Sequence, residues 1–420
     1  MTPKLFTTLP GYTGALFRAD LFAGISVAMV ALPLSIAIAI ASGADPASGL
    51  TTAIIAGFLI SALGGSRVQI GGPTGAFIVV VYGVIAEHGQ DGLIIATLMA
   101  GVILVVAGRL RAGSLVRHIP EAVINGFTIG IAIIIATSQI KDFLGLTTTS
   151  LPAEFLEKIE TLWQARDTFN PQALVIGLAT MVLIVGLRRA APRYPGLIVA
   201  VGLTSAAVAL WHLPVDTLLS RFGPLPNTPN LPVVPDLSLS RMIDLLPSAL
   251  IIAFLAGVES LLSAAVADRM IGDKSQPNAE VVANGVANIG SALFGGLPAT
   301  GAIARTATNV RAGGRTPVAG MIHALVILLV MLLAAPLAGY FAMPALAGLL
   351  ILIAWNMSEP HKWRGYMADR PSDRVLLVLT LVLTVLADLT VAIGVGVALG
   401  LALRLRRGDV PPADWRPPEH

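Results

Sequence analysis

The chain has no cysteine among its 420 residues. Disulfides and thiolate metal sites are therefore excluded, and the redox compartment leaves no mark. Charge is also scarce: Asp, Glu, Lys and Arg make up 12% of the residues, against roughly 25% in a soluble domain. There is no HExxH, P-loop or GxSxG motif, which argues against an intramembrane protease or an ATP-driven pump. No basic-aromatic pattern suggests nucleic acid. No ten-residue alternation suggests a β-barrel. No cleavable signal peptide is evident, because the first apolar stretch is too long for one.

What is there is hydrophobic. Apolar residues make up 55% of the chain, and the mean hydropathy is +0.82. The fold class follows: an all-α polytopic membrane protein. The pattern predicts about 14 transmembrane segments, at 20–42, 48–63, 74–86, 92–108, 120–138, 171–187, 195–211, 245–266, 278–294, 302–312, 317–339, 343–357, 374–389 and 390–405. Between the fifth and sixth, Leu151 to Arg166 carries Phe155, Leu156, Ile159 and Leu162 at helical spacing, which predicts a helix on the membrane surface. A Pro-rich connector, Leu213 to Pro235, separates two halves.

Lys and Arg fall 22 on one side of this topology and 5 on the other, the five being Lys141, Lys158, Arg166, Arg221 and Arg241. The positive-inside rule then places both termini in the cytoplasm. Seven spans per half give the halves opposite orientation. An offset of 226 carries Gly64 onto Gly290, Thr74 onto Thr300, Gly75 onto Gly301 and Ala76 onto Ala302. It supports a 7+7 inverted repeat.

Two matched spans are broken by glycine and proline: the third, at Gly71-Gly72-Pro73-Thr74-Gly75-Ala76, and the tenth, at Gly295 to Ala302. Each break precedes a half-length helix that starts inside the protein. Unpaired N–H groups and the positive dipole end make facing helix starts an anion site. The candidate ligand residues are Thr74, Gly75, Ala76, Phe77, Thr300, Gly301, Ala302, Ile303 and Arg305. Thr74 and Thr300 are expected mainly to cap their helices. Arg305 adds a fixed charge that could bind a carboxylate or sulfate bidentately, or balance Glu259.

Glu259 lies midway through an apolar span, where a carboxyl is a functional candidate by default. It is the candidate proton carrier. The same offset places it opposite Pro33. Ser263, one turn on, could bond substrate or permit close helix packing. Glu280, Asn284 and Asn288 share one polar face, with a solvated or structural role for Glu280 expected at least as much as proton transfer. His323 is expected to be a satisfied core histidine, and Asp388 interfacial. Gly126–Gly130 and Gly396–Gly400 read as helix packing sites.

At these residues the chain resembles the SulP (sulfate permease) family. The resemblance runs through Asp20 to Gly24, Leu32-Pro33, Ser42-Gly43 and Pro46, Gly49-Leu50, then Gly72-Pro73-Thr74-Gly75-Ala76, and Gly296 to Thr306. The last motif, with Ala354 to Glu359, is most similar to the bacterial C4-dicarboxylate (DauA-like) branch. The resemblance implies a core domain (residues 1–115 and 241–340) and a gate domain (116–212 and 341–407), joined by a connector at 213–240. It implies elevator transport, a homodimer and a bacterial inner-membrane location. It also implies an acidic sodium ligand near Glu259 in sodium-coupled bicarbonate transporters, whose partner hydroxyl is Ile303 here; that favours protons over sodium. Family members continue into a STAS domain, which is expected to be absent beyond the tail at 408–420. The expectation is a proton-coupled dicarboxylate symporter, taking fumarate or succinate, with no cofactor, no metal and no enzymatic activity. The alternatives are a bicarbonate or sulfate transporter, a nucleobase–cation symporter or an uncoupled anion channel.

Overall fold

The computed structural model describes residues 2–111, 113, 121–148, 151–190, 195–235, 237–368, 370–387 and 389–407. Asp388 and the 408–420 tail lie outside them. All fourteen expected spans are helical. They are α1 (Gly14–Ala41), α2 (Pro46–Leu63), α3 (Ile78–Arg109), α4 (Glu121–Leu144), α6 (Pro171–Ala190), α7 (Gly196–Leu210), α8 (Leu239–Ile271), α9 (Pro277–Leu293), α10 (Ile303–Arg311), α11 (Pro317–Ala338), α12 (Met343–Met357), α13 (Pro371–Leu386) and α14 (Leu389–Arg407). The third and fourth spans share α3, which bends at Gly89, where φ is 69° and ψ −177°. Only glycine adopts that conformation without strain. The amphipathic stretch forms α5 (Phe155–Gln164).

Helix ends follow local chemistry. Asp45 and Thr316 cap α2 and α11 through side-chain oxygens, each with proline at the first helical position. Asp20 is fully buried in α1 and reaches across to the second cap. Its carboxylate accepts from the N–H groups of Arg315 and Thr316 at 2.8 and 3.1 Å, and from the Thr316 hydroxyl at 2.5 Å. A buried carboxylate so enclosed fixes the register of α1 against α11.

The helices pack in two sets. α3 lies mainly against α8 and α9, while α11 lies against α1 and α2. α4 lies mainly against α12 and α13, and α12 also packs on α6. Small residues set the close approaches: a Cβ at Gly101 or Gly285 would overlap the facing helix of the α3–α9 pair. Gly126 and Gly130 do the same for α4 against α13, as expected of packing sites.

At the centre the two breaks meet as a short antiparallel ladder. Strand β1 (Gly71–Gly72) pairs with β2 (Thr300–Gly301), Gly71 opposite Gly301 and Gly72 opposite Thr300. The 226 offset carries Pro73 onto Ala299, the point about which this register is symmetric. The inverted repeat is therefore written into the pairing itself. The ladder forms on one side only, and Pro298 brings no N–H to extend it on the other.

Candidate functional site

The first break joins a helix start to a carboxyl. Thr74 Oγ1 donates to Glu259 Oε2 at 2.8 Å. Both residues are half-buried, so the pair is open on one side. Thr74 is extended, and its hydroxyl does not cap the helix that follows. Its expected capping role is corrected accordingly: the hydroxyl is turned to Glu259, and its oxygen accepts from no N–H of the helix start. The N–H groups of Gly75 and Ala76 head that helix, where no intrahelical acceptor exists. Phe77 does not face the opening. It is 1% exposed, packed in the apolar core.

The second break is fastened shut. Thr300 is fully buried, and its hydroxyl donates to the Ala256 carbonyl at 2.8 Å. Ala302, not Thr300, holds the N-cap position of α10. Thr300 therefore neither caps the helix nor reaches a ligand. Gly301 is held in the ladder, with the Gln69 side chain where a Cβ would stand. The Ala302 N–H donates to the Ile70 carbonyl at 2.8 Å. The open donors at this start are the N–H groups of Ile303 and Ala304, both exposed residues.

Arg305 is 1% exposed, so it does not run out to the cytoplasmic surface. Its side chain crosses from α10 to the first break and donates from Nη2 to the Pro73 carbonyl at 2.6 Å. The Gly72 position has room for no side chain beside the guanidinium. Nε and Nη1 have no partner among the described residues. No ion pair joins Arg305 to Glu259 among the described residues, so the two charges are not each other's counter-ions. Ser263 is fully buried, and its hydroxyl donates to Thr306 Oγ1 at 3.2 Å, tying α8 to α10 rather than facing a ligand.

Behind the breaks lies a polar core that the sequence showed only in part. Glu280 is fully buried rather than solvated. Its Oε2 accepts from the N–H groups of Gly65 and Ser66 at 2.8 and 3.1 Å, and its Oε1 from Gln69 Nε2 at 2.8 Å and Ser260 Oγ at 3.1 Å. The carboxyl thereby holds the loop that leads into β1. Asn288 clamps the second break, accepting from the Ala299 N–H at 2.9 Å and donating to its carbonyl at 2.8 Å. Thr52 and Ser291 hold Leu297 in the same way. Gln69 and Asn309 escaped the sequence reading. Their only signal was a lone amide in an otherwise apolar or loop context, and each anchors the first break, Asn309 through the Val68 carbonyl at 2.8 Å. His323 is fully buried in α11, beside the Gly320 backbone one turn back. Among the described residues no cluster of three His, Asp or Glu could hold a metal.

Comparison with known proteins gives a consistent frame. The model of the sulfate permease family matches residues 17–380. The putative sulfate transporter YvdB of Bacillus subtilis is 44% identical over 382 residues, covering 90% of this chain and 72% of that one. The bicarbonate transporter BicA of Picosynechococcus is 31% identical over 382 residues, covering 88% and 67%. The solved transmembrane domain of a cyanobacterial BicA superposes with a TM-score of 0.79 at 28% identity, covering 93% of this chain and 98% of that one. Murine Slc26a9 shares the fold, with a TM-score of 0.86 at 18% identity, covering 97% of this chain and 71% of that one. A polytopic helical protein matched along most of its length by this family model and by these anion transporters is placed by them: the chain belongs to the sulfate permease family.

Proposed function

We propose that the chain is a proton-coupled symporter of a small anion, with Glu259 as the proton carrier. The observation that carries this reading is the Thr74–Glu259 hydrogen bond. It puts a half-buried carboxyl of a membrane span on the start of a half-helix whose first N–H groups have no intrahelical acceptor. An anion bound at Gly75, Ala76, Ile303 and Ala304 would feel the charge state of Glu259 directly. A protonated Glu259 would admit the anion; an ionised one would repel it. Arg305 would add positive charge from behind the Pro73 carbonyl. Sodium is disfavoured by Ile303, an apolar side chain at the head of α10.

The two packing sets correspond to a core that carries both half-helices and a gate built on α4, α6, α7, α12, α13 and α14. The core would slide along the gate, elevator fashion. The protein would sit in the cytoplasmic membrane with both ends inside, as a homodimer.

For the substrate, the motif resemblance favours a C4-dicarboxylate, fumarate or succinate. A second reading, sulfate or bicarbonate, is favoured by the names of the relatives YvdB and BicA. Purified protein in proteoliposomes decides between them. An inward proton gradient should drive accumulation of labelled fumarate, which excess succinate competes away and sulfate does not. Accumulation of labelled sulfate or bicarbonate in place of fumarate would select the second reading. Gradient-independent flux with single-channel currents would replace the symporter with a channel.

A further inference from the structure

The segment around α5, expected at the membrane surface, turns one apolar face outward. Leu156, Ile159 and Trp163 are 67, 45 and 68% exposed and form an apolar stripe for the bilayer. The opposite face carries a buried lysine. Lys158 is 3% exposed, donates to Ser138 Oγ of α4 at 3.0 Å, and stands 5.4 Å from the centre of the Tyr82 ring on α3. The Tyr82 hydroxyl donates to the Leu151 carbonyl, at the start of the same segment. Tyr82 lies little more than one turn beyond Phe77, on the half-helix that begins at the first break. The segment from Leu151 to Gln164 therefore straddles α3 and α4, one from each packing set.

We propose that this segment is a latch across the core–gate boundary: the Tyr82 hydroxyl closes it, and the unpaired charge of Lys158 keeps it releasable. The proposal rests on the core-and-gate reading above, but not on the identity of the anion. The closing half is a single hydrogen bond, from the Tyr82 hydroxyl of α3 to the Leu151 carbonyl ahead of α5. The releasing half is electrostatic. Among the described residues no carboxylate forms an ion pair with Lys158, so its ammonium is held by one hydroxyl and a ring face. Taking an ammonium out of water costs more than those contacts return, and opening the latch would rehydrate it. The same state has the neighbouring seam shut. Ala37 and Ile40 of α1 face Leu346, Ala347 and Leu350 of α12 around a void of about 10 Å³, and Ala347 is 1% exposed.

The two halves of the latch predict opposite effects, and the cysteine-free chain makes them measurable. A single Ala347→Cys reporter is buried in the closed seam and reacts with a maleimide only when the seam opens. Tyr82→Phe, which removes one hydroxyl, should speed labelling at least threefold. Lys158→Met, which keeps the apolar stem and removes the charge, should slow it at least threefold. Unchanged labelling in Tyr82→Phe would overturn the latch. Labelling of Lys158→Met at the parent rate or faster would overturn the release role. Neither readout needs a substrate, so a failed symporter assignment leaves them standing. As a second measurement, Tyr82→Cys with Lys158→Cys can be joined by a reducible bismaleimide. Joined protein should lose at least tenfold in uptake of whichever labelled probe, sulfate or fumarate, the unjoined protein takes up, and recover on reduction. Full-rate uptake by joined protein would show that this boundary does not move.

Discussion

At the first break Thr74 keeps its hydroxyl clear of the backbone and gives it to Glu259 at 2.8 Å; at the second, its repeat counterpart Thr300 donates to the Ala256 carbonyl at 2.8 Å and is fully buried. The backbone of the two breaks is related by the repeat, and the ladder register preserves that relation. The side chains around them differ in kind. Asn288, Ser291 and Thr52 clamp residues 297–299. The first break is instead braced by Arg305, reaching over from the second helix to the Pro73 carbonyl. A symmetric backbone thus carries one break clamped by side chains on its backbone groups and one whose threonine meets a carboxyl. In the proposed symport that inequality supplies both a seat for the anion and a group, Glu259, that senses its charge.

The comparison can be broken most severely at Gly72, where φ is 149°. Gly72→Val would strain the backbone and drive a side chain into the Arg305 guanidinium. Transport should fall by at least a hundredfold, measured as initial uptake into proteoliposomes. Next in size is the clamp on the second break. Asn288→Ala would strand the N–H and carbonyl of Ala299 in a buried site, costing about 3 kcal/mol. Thermal denaturation in detergent should show it, and an unchanged midpoint would mean that the second break is not fixed by Asn288.

A third test sets both breaks beside a charge outside the spans. Burial pushes the Lys158 ammonium down from its ordinary 10.5 to about 8. Below pH 8 the folded protein therefore carries a buried charge at a cost, and that cost disappears as pH rises from 8 towards the ordinary value. Stability from this group thus increases with pH over that window. Lys158→Met should stabilise the protein at pH 7 more than at pH 9.5, the difference being about 2 kcal/mol. An equal effect at both pH values would contradict the buried charge.

The smallest effects separate the two threonines most cleanly. Thr74→Val should cut proton-driven transport about fivefold to twentyfold and change stability by less than about 0.5 kcal/mol, since water reaches the half-buried Glu259 carboxyl and replaces the lost bond. Thr300→Val should cost about 1 kcal/mol of stability and leave transport near the parent rate. Parallel behaviour of the two variants, in uptake and in thermal midpoint, would erase the distinction.

The sequence made the helices legible because long apolar runs have few ways to be satisfied in a bilayer. The 226 offset held for the elements from α1 to α3 and their partners from α8 to α11. It fails beyond them, where Pro171 and Pro371 begin the corresponding helices α6 and α13. The reason is the inserted α5 segment, which the second half does not match. Glu259 was legible because a carboxyl in a membrane span stands out alone. The hydroxyls were not, because Thr74, Ser263 and Thr300 differ in function only through which acceptor the tertiary fold brings near. Arg305 was placed at the site, but the direction of its side chain depends on the Gly72-Pro73 backbone, which no local pattern encodes. The amide anchors Gln69 and Asn309 were invisible for the same reason.

In the proposed transport cycle Glu259 carries the proton. Its most direct test is anion uptake into proteoliposomes with and without an inward proton gradient, for the parent chain and Glu259→Gln, with ligand binding measured on the same protein. The substitution should abolish gradient-driven accumulation while binding is retained. Equal gradient-driven accumulation in both proteins would contradict it.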